Sequence, residues 1–241
     1  MSIDGPPATT IEHEHPDVTG GWLRPAVFGA SDGLVSNLAL IAGVAGGTRA
    51  ADTSTAVVLA GLAGLAAGAF SMAVGEYTSV ASQSEAAARE IEEERVEILS
   101  NPEGETRELA AMYIGKGIDR DLADAMARQV HRDVENAVAV HSREELGVDP
   151  DNLASPTVAA ASSFLSFALG ALIPLLPYLL GASSLLPGLV LTLLALLGCG
   201  AVVTQVTNRS WWYGGLRQML LGAAAAGLTY VVGAAVGANL G

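Results

Sequence analysis

The chain has 241 residues, of which 51% are hydrophobic and only 15% are charged, and its mean hydropathy is +0.42. Soluble domains carry about 25% charged residues, so this composition excludes an ordinary soluble domain and indicates a membrane protein. The net charge of -13 leaves no basic surface for a nucleic acid, and the single cysteine, Cys199, excludes a disulfide framework and a cysteine-based metal cluster.

Residues 1–21 precede the first apolar stretch, and they hold acids and histidines where a secretory signal has a basic region and an apolar run. We expect a disordered tail. Its histidines, His13 and His15, lie in the string Glu12-His-Glu-His15, which has metal-binding composition and the Glu-x-x-His spacing of di-iron bundles. The acidic segment further along holds no second copy, and P-loop, hydrolase and dinucleotide motifs are absent from the sequence, so we predict that the protein is not an enzyme.

Charge-free runs locate the membrane spans, because a charge at the bilayer centre costs about 2.5–3.5 kcal/mol and a span needs about 20 apolar residues. The first run covers about residues 25–46 and is interrupted only by Asp32. The second run covers residues 53–75, and an Ala- and Glu-rich helical stretch follows it as far as Leu99. We therefore predict one helix of about 46 residues, over 54–99, which is about 69 Å long and projects past the membrane.

The segment 82–155 carries 18 acidic and 8 basic residues, and therefore most of the negative charge of the chain. After the long helix, acids in a first turn and glycines at the breaks predict a second helix over about 102–115 and a third over about 119–146. We predict a small acidic three-helix domain inserted between the second and third spans.

Residues 152–208 contain no charged side chain, a length that fits two spans. We predict helices over about 156–180 and 184–207, joined by a tight turn. The uncharged residues 218–241 form a fifth span, which starts near Trp211. The chain thus divides into spans one and two (22–81), the acidic insert (82–155) and spans three to five (156–241).

Basic residues predict the orientation of the five spans. The face that holds residue 22 and the insert would carry Arg24, eight bases of the insert, Arg209 and Arg217, whereas the opposite face would carry only Arg49. The positive-inside rule therefore predicts a cytoplasmic N-terminus and insert. The Arg-, Ala- and Gly-rich composition favours a bacterial plasma membrane over an organelle.

Four side chains in the first two spans are candidates for ion transport. Asp32 lies about seven residues into span one, where a carboxylate indicates function more often than its alternative, a capping or interfacial acid. Ser36, four residues on, shares its helix face. Met72 and Glu76 place a thioether and a carboxylate on one face of span two, a pair that suits a first-row transition ion, although plain packing of Met72 and an interfacial Glu76 are the alternatives.

Pairs of glycines four residues apart occur in three of the spans and indicate either close helix packing or dimerisation. The pairs are Gly43 with Gly47, Gly64 with Gly68, and Gly233 with Gly237. Two further glycines that flank Asp32, Gly29 and Gly33, allow another helix or an ion to come close.

Acidic residues of the insert recur at helical spacing and form the second group of candidates. Like charges stacked this densely destabilise a helix unless something positive lies among them. A solvated face neutralised by arginines explains any single glutamate, whereas the whole set with one imidazole favours a divalent-cation site. The candidate ligands are Glu94, Glu97, Glu105, Glu108, His141 and Glu145.

Several motifs, taken in order over residues 22–241, resemble the vacuolar iron transporter family. They are Ser31-Asp-Gly-Leu34, Ala66-Ala-Gly-Ala-Phe-Ser-Met72 with Glu76-Tyr77, the acidic insert, Glu144-Glu-Leu-Gly147 and Ile173-Pro-Leu-Leu-Pro-Tyr178. The resemblance implies a homodimer of five-helix protomers that exchanges Fe²⁺ or related ions for protons. It also implies a path at the dimer interface, between spans one and two, lined by Asp32 and Met72. The glutamates of the family's cytoplasmic metal-binding domain fall on Glu94, Glu97, Glu105, Glu108 and Glu145.

The sequence departs from the plant members of that family at a few positions. His141 and Ser142 stand where plant members have adjacent methionines, so an imidazole replaces a soft ligand. Gly64 and Pro25 stand at positions where plant members carry carboxylates. Glu76 is absent from the plant pattern, and we hypothesise that it takes over part of the proton coupling.

The residues and the resemblance together predict a proton-coupled transporter that moves Fe²⁺, with Mn²⁺ as a second candidate, out of the cytosol. We expect a homodimer in a lipid bilayer with no prosthetic group, whose insert also binds ions such as Zn²⁺. The alternative is a membrane-anchored metal sensor or buffer that transports nothing. Asp32 argues against this alternative, because an anchor has no need of an intramembrane carboxylate.

Overall fold

The computed structural model describes residues 21–48, 53–207 and 210–240, and every regular element in these ranges is helical. The α-helices are α1 (Leu23–Gly47), α2 (Thr53–Ser100), α3 (Pro102–Gly115), α4 (Arg120–Val130), α5 (Val134–His141), α6 (Pro156–Leu179), α7 (Leu186–Thr207) and α8 (Trp211–Leu240), and a π-helical turn (Ser142–Leu146) follows α5. Among these described helices, α1, α2, α6, α7 and α8 are long and apolar enough to cross a membrane. The predicted all-α membrane protein with five spans is confirmed.

Some predictions concern residues outside the described ranges. They are the disordered tail, which includes His13 and His15, and the basic residues Arg49 and Arg209.

α1 is the central helix of the membrane bundle and contacts α2, α6, α7 and α8. Its residues Leu38, Ile41 and Ala42 are fully buried against these neighbours. Leu175 on α6 completes a cluster with Ile41, whereas Phe167 on the same helix packs against α2. α1 is therefore held from several sides, which fixes the position of the polar side chains that it carries.

Two of the predicted glycine pairs pack α1 directly against α8. A Cβ atom added at Gly233 would collide with the carbonyl oxygen of Gly43, and one added at Gly237 would collide with that of Gly47. At Gly233 and Gly237 the backbones of the two helices approach so closely that only glycine fits. These pairs serve packing within one chain, and Gly33 likewise admits α6 beside Asp32.

α2 is one uninterrupted helix of 48 residues, and it carries both the second span and the first element of the insert. At 1.5 Å per residue it is about 72 Å long, as predicted from the sequence. Two small apolar clusters hold the insert together. One joins Leu109 on α3 to Ala127 on α4, and the other joins Ile98 on α2 to Val138 on α5.

The predicted third helix over 119–146 is wrong, because the chain leaves the helix at residues 131–133. Asp133 has an extended backbone (φ -129°, ψ 124°), and its Oδ1 accepts a hydrogen bond from the backbone nitrogen of Asn136 at 2.8 Å. A carboxylate that caps a new helix in this way ends the previous one. The insert therefore contains the extension of α2 followed by α3, α4 and α5.

The insert and the start of α1 lie at the same end of the bundle. The Ser162 hydroxyl, near the start of α6, donates to the carbonyl oxygen of Trp22 at 2.8 Å. The Ser84 hydroxyl on α2 donates to the carbonyl oxygen of Ala154 at 2.8 Å, which closes the base of the insert. Residue 22 and the insert therefore lie at the same end of the helix bundle.

The contact between α1 and α8 predicts opposite effects for two alanine substitutions on the same helix. Gly233→Ala places a methyl group against the carbonyl of Gly43, and we expect it to lower stability by about 1–3 kcal/mol, as overpacking does. Gly227→Ala meets open space, so its better helix propensity leaves stability unchanged or slightly higher. Thermal unfolding of both variants in detergent, followed by tryptophan fluorescence, checks this. Equal midpoints would contradict the close contact.

Candidate metal centre and membrane cavity

Three buried side chains from three different helices meet in the insert. Glu94 on α2, Glu105 on α3 and His141 on α5 each offer one ligand atom, and these atoms lie within 4.8 Å of one another. His141 is fully buried, and Glu94 is 6% exposed. Two carboxylate oxygens and an imidazole nitrogen form a donor set that suits first-row divalent ions. Of the six predicted ligands, the structure brings these three closest together.

The hydrogen bonds of His141 leave lone pairs without a partner. Its Nδ1 lies 3.0 Å from Oε1 of Glu145, with which it forms a hydrogen bond, and 2.8 Å from Oε1 of Glu94. Nε2 of His141 and Oε1 of Glu94 are both buried, and neither has a hydrogen-bond partner among the described residues. Buried lone pairs that stay unsatisfied cost about 1–3 kcal/mol each, and a bound cation removes this cost.

The crowded carboxylates change one another's protonation. Burial, followed by the charges of Glu145, Glu105 and other nearby glutamates, raises the pKa of Glu94 to about 7. Burial and the charge of Glu108 also raise the pKa of Glu105, although the neighbouring His141 opposes this effect. Glu94 is therefore about half protonated at pH 7 and mostly protonated below it, and a cation that binds there displaces the proton.

The remaining predicted ligands lie at the edge of this group. Glu97 and Glu108 are exposed, yet both are close enough for their charges to raise the pKa of Glu94. Glu145 follows in the π-helical turn and reaches His141 from there. The preceding residue, Glu144, forms an ion pair with Lys116 instead. The edge of the cluster is thus acidic and open to solvent.

His131 is a neighbour of the cluster that the sequence did not single out. Its ring packs edge-to-face on His141 with 5.1 Å between the ring centroids. Its Nδ1 lies 2.9 Å from the carbonyl oxygen of Ala127, and burial lowers its pKa. Nδ1 of His131 therefore carries a proton and donates a hydrogen bond to this carbonyl. The ring of His131, as a neutral group, packs against His141 and positions it. Ten residues separate the two histidines, so helical spacing alone gave no signal for this contact.

A second group of polar side chains lines a cavity of about 220 Å³ between α1 and α2 in the membrane bundle. Among its lining residues are the predicted Asp32, Ser36 and Met72. The Ser36 hydroxyl donates to Oδ1 of Asp32 at 2.6 Å, as their spacing of four residues suggested. Glu76 lies one helical turn beyond Met72 on α2 and is not among the lining residues.

Asn37 is a polar residue of this cavity that the sequence analysis missed. It is 2% exposed, and its Nδ2 donates to the carbonyl oxygen of Ala171 on α6 at 2.6 Å. An amide within an apolar span is itself a signal, since polar side chains are costly in a membrane. The lining therefore combines a carboxylate, a thioether, an amide and hydroxyl groups.

Comparisons with known proteins cover both the bundle and the insert. Residues 23–234 match the VIT family. A vacuolar iron transporter of Acanthamoeba castellanii is 39% identical over 220 residues, which are 89% of this chain and 78% of that protein. Vacuolar iron transporter 1 of Oryza sativa subsp. japonica is 30% identical over 95% of this chain and 92% of its own length. Vacuolar iron transporter 1 of Arabidopsis thaliana is 32% identical over 81% and 79%, respectively.

The raised pKa of Glu94 predicts how cation binding to the insert depends on pH. Below about pH 7 this carboxyl is protonated, and a cation has to displace the proton, so affinity rises about tenfold per pH unit up to pH 7 and levels off above it. Calorimetric titration of the full chain with Mn²⁺ at several pH values measures this slope.

Matched variants isolate the contribution of Glu94. Glu94→Gln should lose most of the affinity and the part of the slope that corresponds to one proton. Glu92→Gln removes an exposed carboxylate of the same helix and should behave like the unmodified protein. An unchanged slope in Glu94→Gln would show that another group carries the exchanged proton.

Proposed function

The chain belongs to the VIT family of metal transporters, and from this membership we propose that it moves Fe²⁺, and also Mn²⁺, out of the cytosol in exchange for protons. The observation that carries the proposal is the membrane cavity, in which the Asp32 carboxylate and the Met72 thioether line one space of about 220 Å³. A hard oxygen and a soft sulfur together suit a transition ion better than Mg²⁺ or Ca²⁺.

The insert is the capture site in this mechanism. Its acidic edge raises the local concentration of cations, and the buried group of Glu94, Glu105 and His141 supplies ligands from three helices. We place the insert and residue 22 in the cytosol, because both lie at the same end of the bundle and the segments at that end carry most of the basic residues. Ions captured there reach the cavity from the cytosolic side. Zn²⁺ also fits the donor set of the insert.

Proton exchange follows from the chemistry of the cavity carboxylate. A carboxyl group loses its proton before it ligates a divalent cation, so metal binding at Asp32 releases a proton. When the cavity opens to the opposite side, protonation of Asp32 releases the metal. We keep Glu76, one turn beyond Met72, as a hypothesis for a second proton-carrying group.

The exposed edge of the cavity supports a homodimer. Ser36 and Ser71, which both line the cavity, are exposed on this chain, and few residues in the membrane span of α2 are buried. Polar groups that face lipid are costly, and a second copy of α1 and α2 would cover them. The transport path then lies between two protomers.

The membrane in which the protein resides is a prediction from composition, which favours a bacterial plasma membrane. The relatives named above are eukaryotic proteins with "vacuolar" in their names. In either membrane, an insert in the cytosol gives the same proposed direction of transport, out of the cytosol.

The alternative of a membrane-anchored sensor or buffer draws its support from the insert cluster alone. It gives no role to the cavity, where Asp32 accepts a hydrogen bond from Ser36 beside Met72. A carboxylate is retained inside a span at a considerable free-energy cost, and an anchor gains nothing from it.

Substitution of Asp32 tests the proposal. Asp32→Asn keeps the size and the acceptor oxygen but has no proton to release, so we expect Fe²⁺ uptake into proteoliposomes to fall about 100-fold or more while the dimer stays intact. Glu85→Gln removes an exposed carboxylate of α2 outside the span and should leave uptake unchanged. Rapid Fe²⁺ uptake by folded Asp32→Asn would remove Asp32 from the mechanism.

A further inference from the structure

The Asn37 amide is hydrogen-bonded through its nitrogen, whereas its oxygen has no hydrogen-bond partner among the described residues. Its Nδ2 donates to the carbonyl oxygen of Ala171 at 2.6 Å, which fixes the orientation of the group, because a carbonyl oxygen accepts only from the nitrogen. Oδ1 therefore points away from α6. A Cβ atom added at Gly64 on α2 would lie 3.1 Å from this oxygen, and both Asn37 and Gly64 line the membrane cavity.

Oδ1 of Asn37 is buried and has no hydrogen-bond partner among the described residues. The hydroxyl of the preceding residue, Ser36, already donates to Asp32. A buried acceptor left in this state costs about 1–3 kcal/mol, and native proteins rarely keep one unless a further group satisfies it. Asn37 lines the same cavity as Asp32 and Met72, so a cation bound in that cavity is the group expected to satisfy this oxygen.

We propose that Oδ1 of Asn37 ligates the transported cation together with Asp32 and Met72, and that this neutral oxygen favours Fe²⁺ and Mn²⁺ over softer ions. The inference rests on the proposed transport function. Amide and carboxylate oxygens are hard ligands that suit Mn²⁺ and Fe²⁺, whereas a thioether favours softer ions. Asn37 would shift the balance of the ligand set toward the harder ions.

The neutrality of the amide matters for proton coupling. A second carboxylate in the cavity would add a buried negative charge and a second exchangeable proton. Asn37 supplies an additional oxygen ligand and adds neither a negative charge nor an exchangeable proton. The number of protons exchanged at the cavity is then set by Asp32.

The experiment compares two ions of different softness in proteoliposomes that contain the full chain. Initial uptake of Mn²⁺ and of Cd²⁺ is measured over a range of concentrations for the unmodified protein and for Asn37→Leu, which preserves bulk but removes the oxygen. Ser163→Ala is the control, because Ser163 on α6 is fully buried, its hydroxyl oxygen has no hydrogen-bond partner in the described part of the chain, and it lies outside the cavity lining.

We expect Asn37→Leu to raise the KM for Mn²⁺ about tenfold or more and the KM for Cd²⁺ less than about threefold, whereas Ser163→Ala changes neither. A proportional change for both ions would make Asn37 a packing or water-binding residue and would overturn the inference, as would no change at all. Absence of uptake by the unmodified protein would instead overturn the proposed function, and the inference with it.

A second variant keeps the inference testable if Asn37→Leu does not fold. Asn37→Asp retains an oxygen at the same place and introduces a proton that the cation must displace. We expect it to keep the preference for Mn²⁺ over Cd²⁺ and to make Mn²⁺ uptake depend on about one additional proton in its pH profile. An unchanged pH profile in this variant would show that the side chain at position 37 does not touch the ion.

Discussion

The candidate metal centre of the insert depends on two carboxylates, those of Glu94 and Glu105, that are withdrawn from water without a lysine or arginine paired to them in the described part of the chain. In the described ranges, no Lys or Arg forms an ion pair with Glu94, Glu105 or Asp32. The arginines of the insert pair with acids at its surface instead, as Arg95 does with Glu135. Burial without such a partner raises the pKa of Glu94 to about 7 and also raises the pKa of Glu105. A cation that binds Glu94 therefore competes with a proton for the same carboxylate.

Helix α2 carries residues of both the buried cluster in the insert and the membrane cavity. Met72 and Glu94 are 22 residues apart on the same uninterrupted helix, which corresponds to about 33 Å. The buried cluster of the insert and the cavity are therefore connected by a single continuous helix. Close packing of α1 against α6 and α8 through glycines fixes the other wall of the cavity, so the positions of Asp32 and Met72 depend on backbone contacts rather than on mobile loops.

The membrane part of the fold could be predicted closely from the sequence, because a charge in a bilayer is costly and long charge-free runs can be read from the local sequence. Charge-free runs predicted the bounds of the first four spans within a few residues. The fifth helix starts at Trp211, as the aromatic residues and not the charge-free run indicated. Asp32 could be identified from the sequence because it is the charge that interrupts the first apolar run. Spacing of four residues was enough to relate Asp32 to Ser36 and His141 to Glu145.

Other features could not be predicted, because they depend on contacts between distant parts of the chain. Asn37 is oriented by a carbonyl group 134 residues away, and nothing in the local sequence specifies that partner. The break before α5 depends on Asp133 turning its carboxylate to the backbone of Asn136, whereas the surrounding pattern reads as a continuous helix. The position of His131 beside His141 is a result of that break.

The most direct test of the account is whether a proton gradient drives the metal uphill. Sealed proteoliposomes that contain the full chain and a pH-sensitive dye are given Fe²⁺ outside and a lumen more acidic than the medium. The account predicts that Fe²⁺ accumulates above its external concentration, that the lumen becomes more alkaline in step, and that a protonophore stops both. Fe²⁺ that enters at the same rate without the gradient, or that binds outside and never enters, would contradict it.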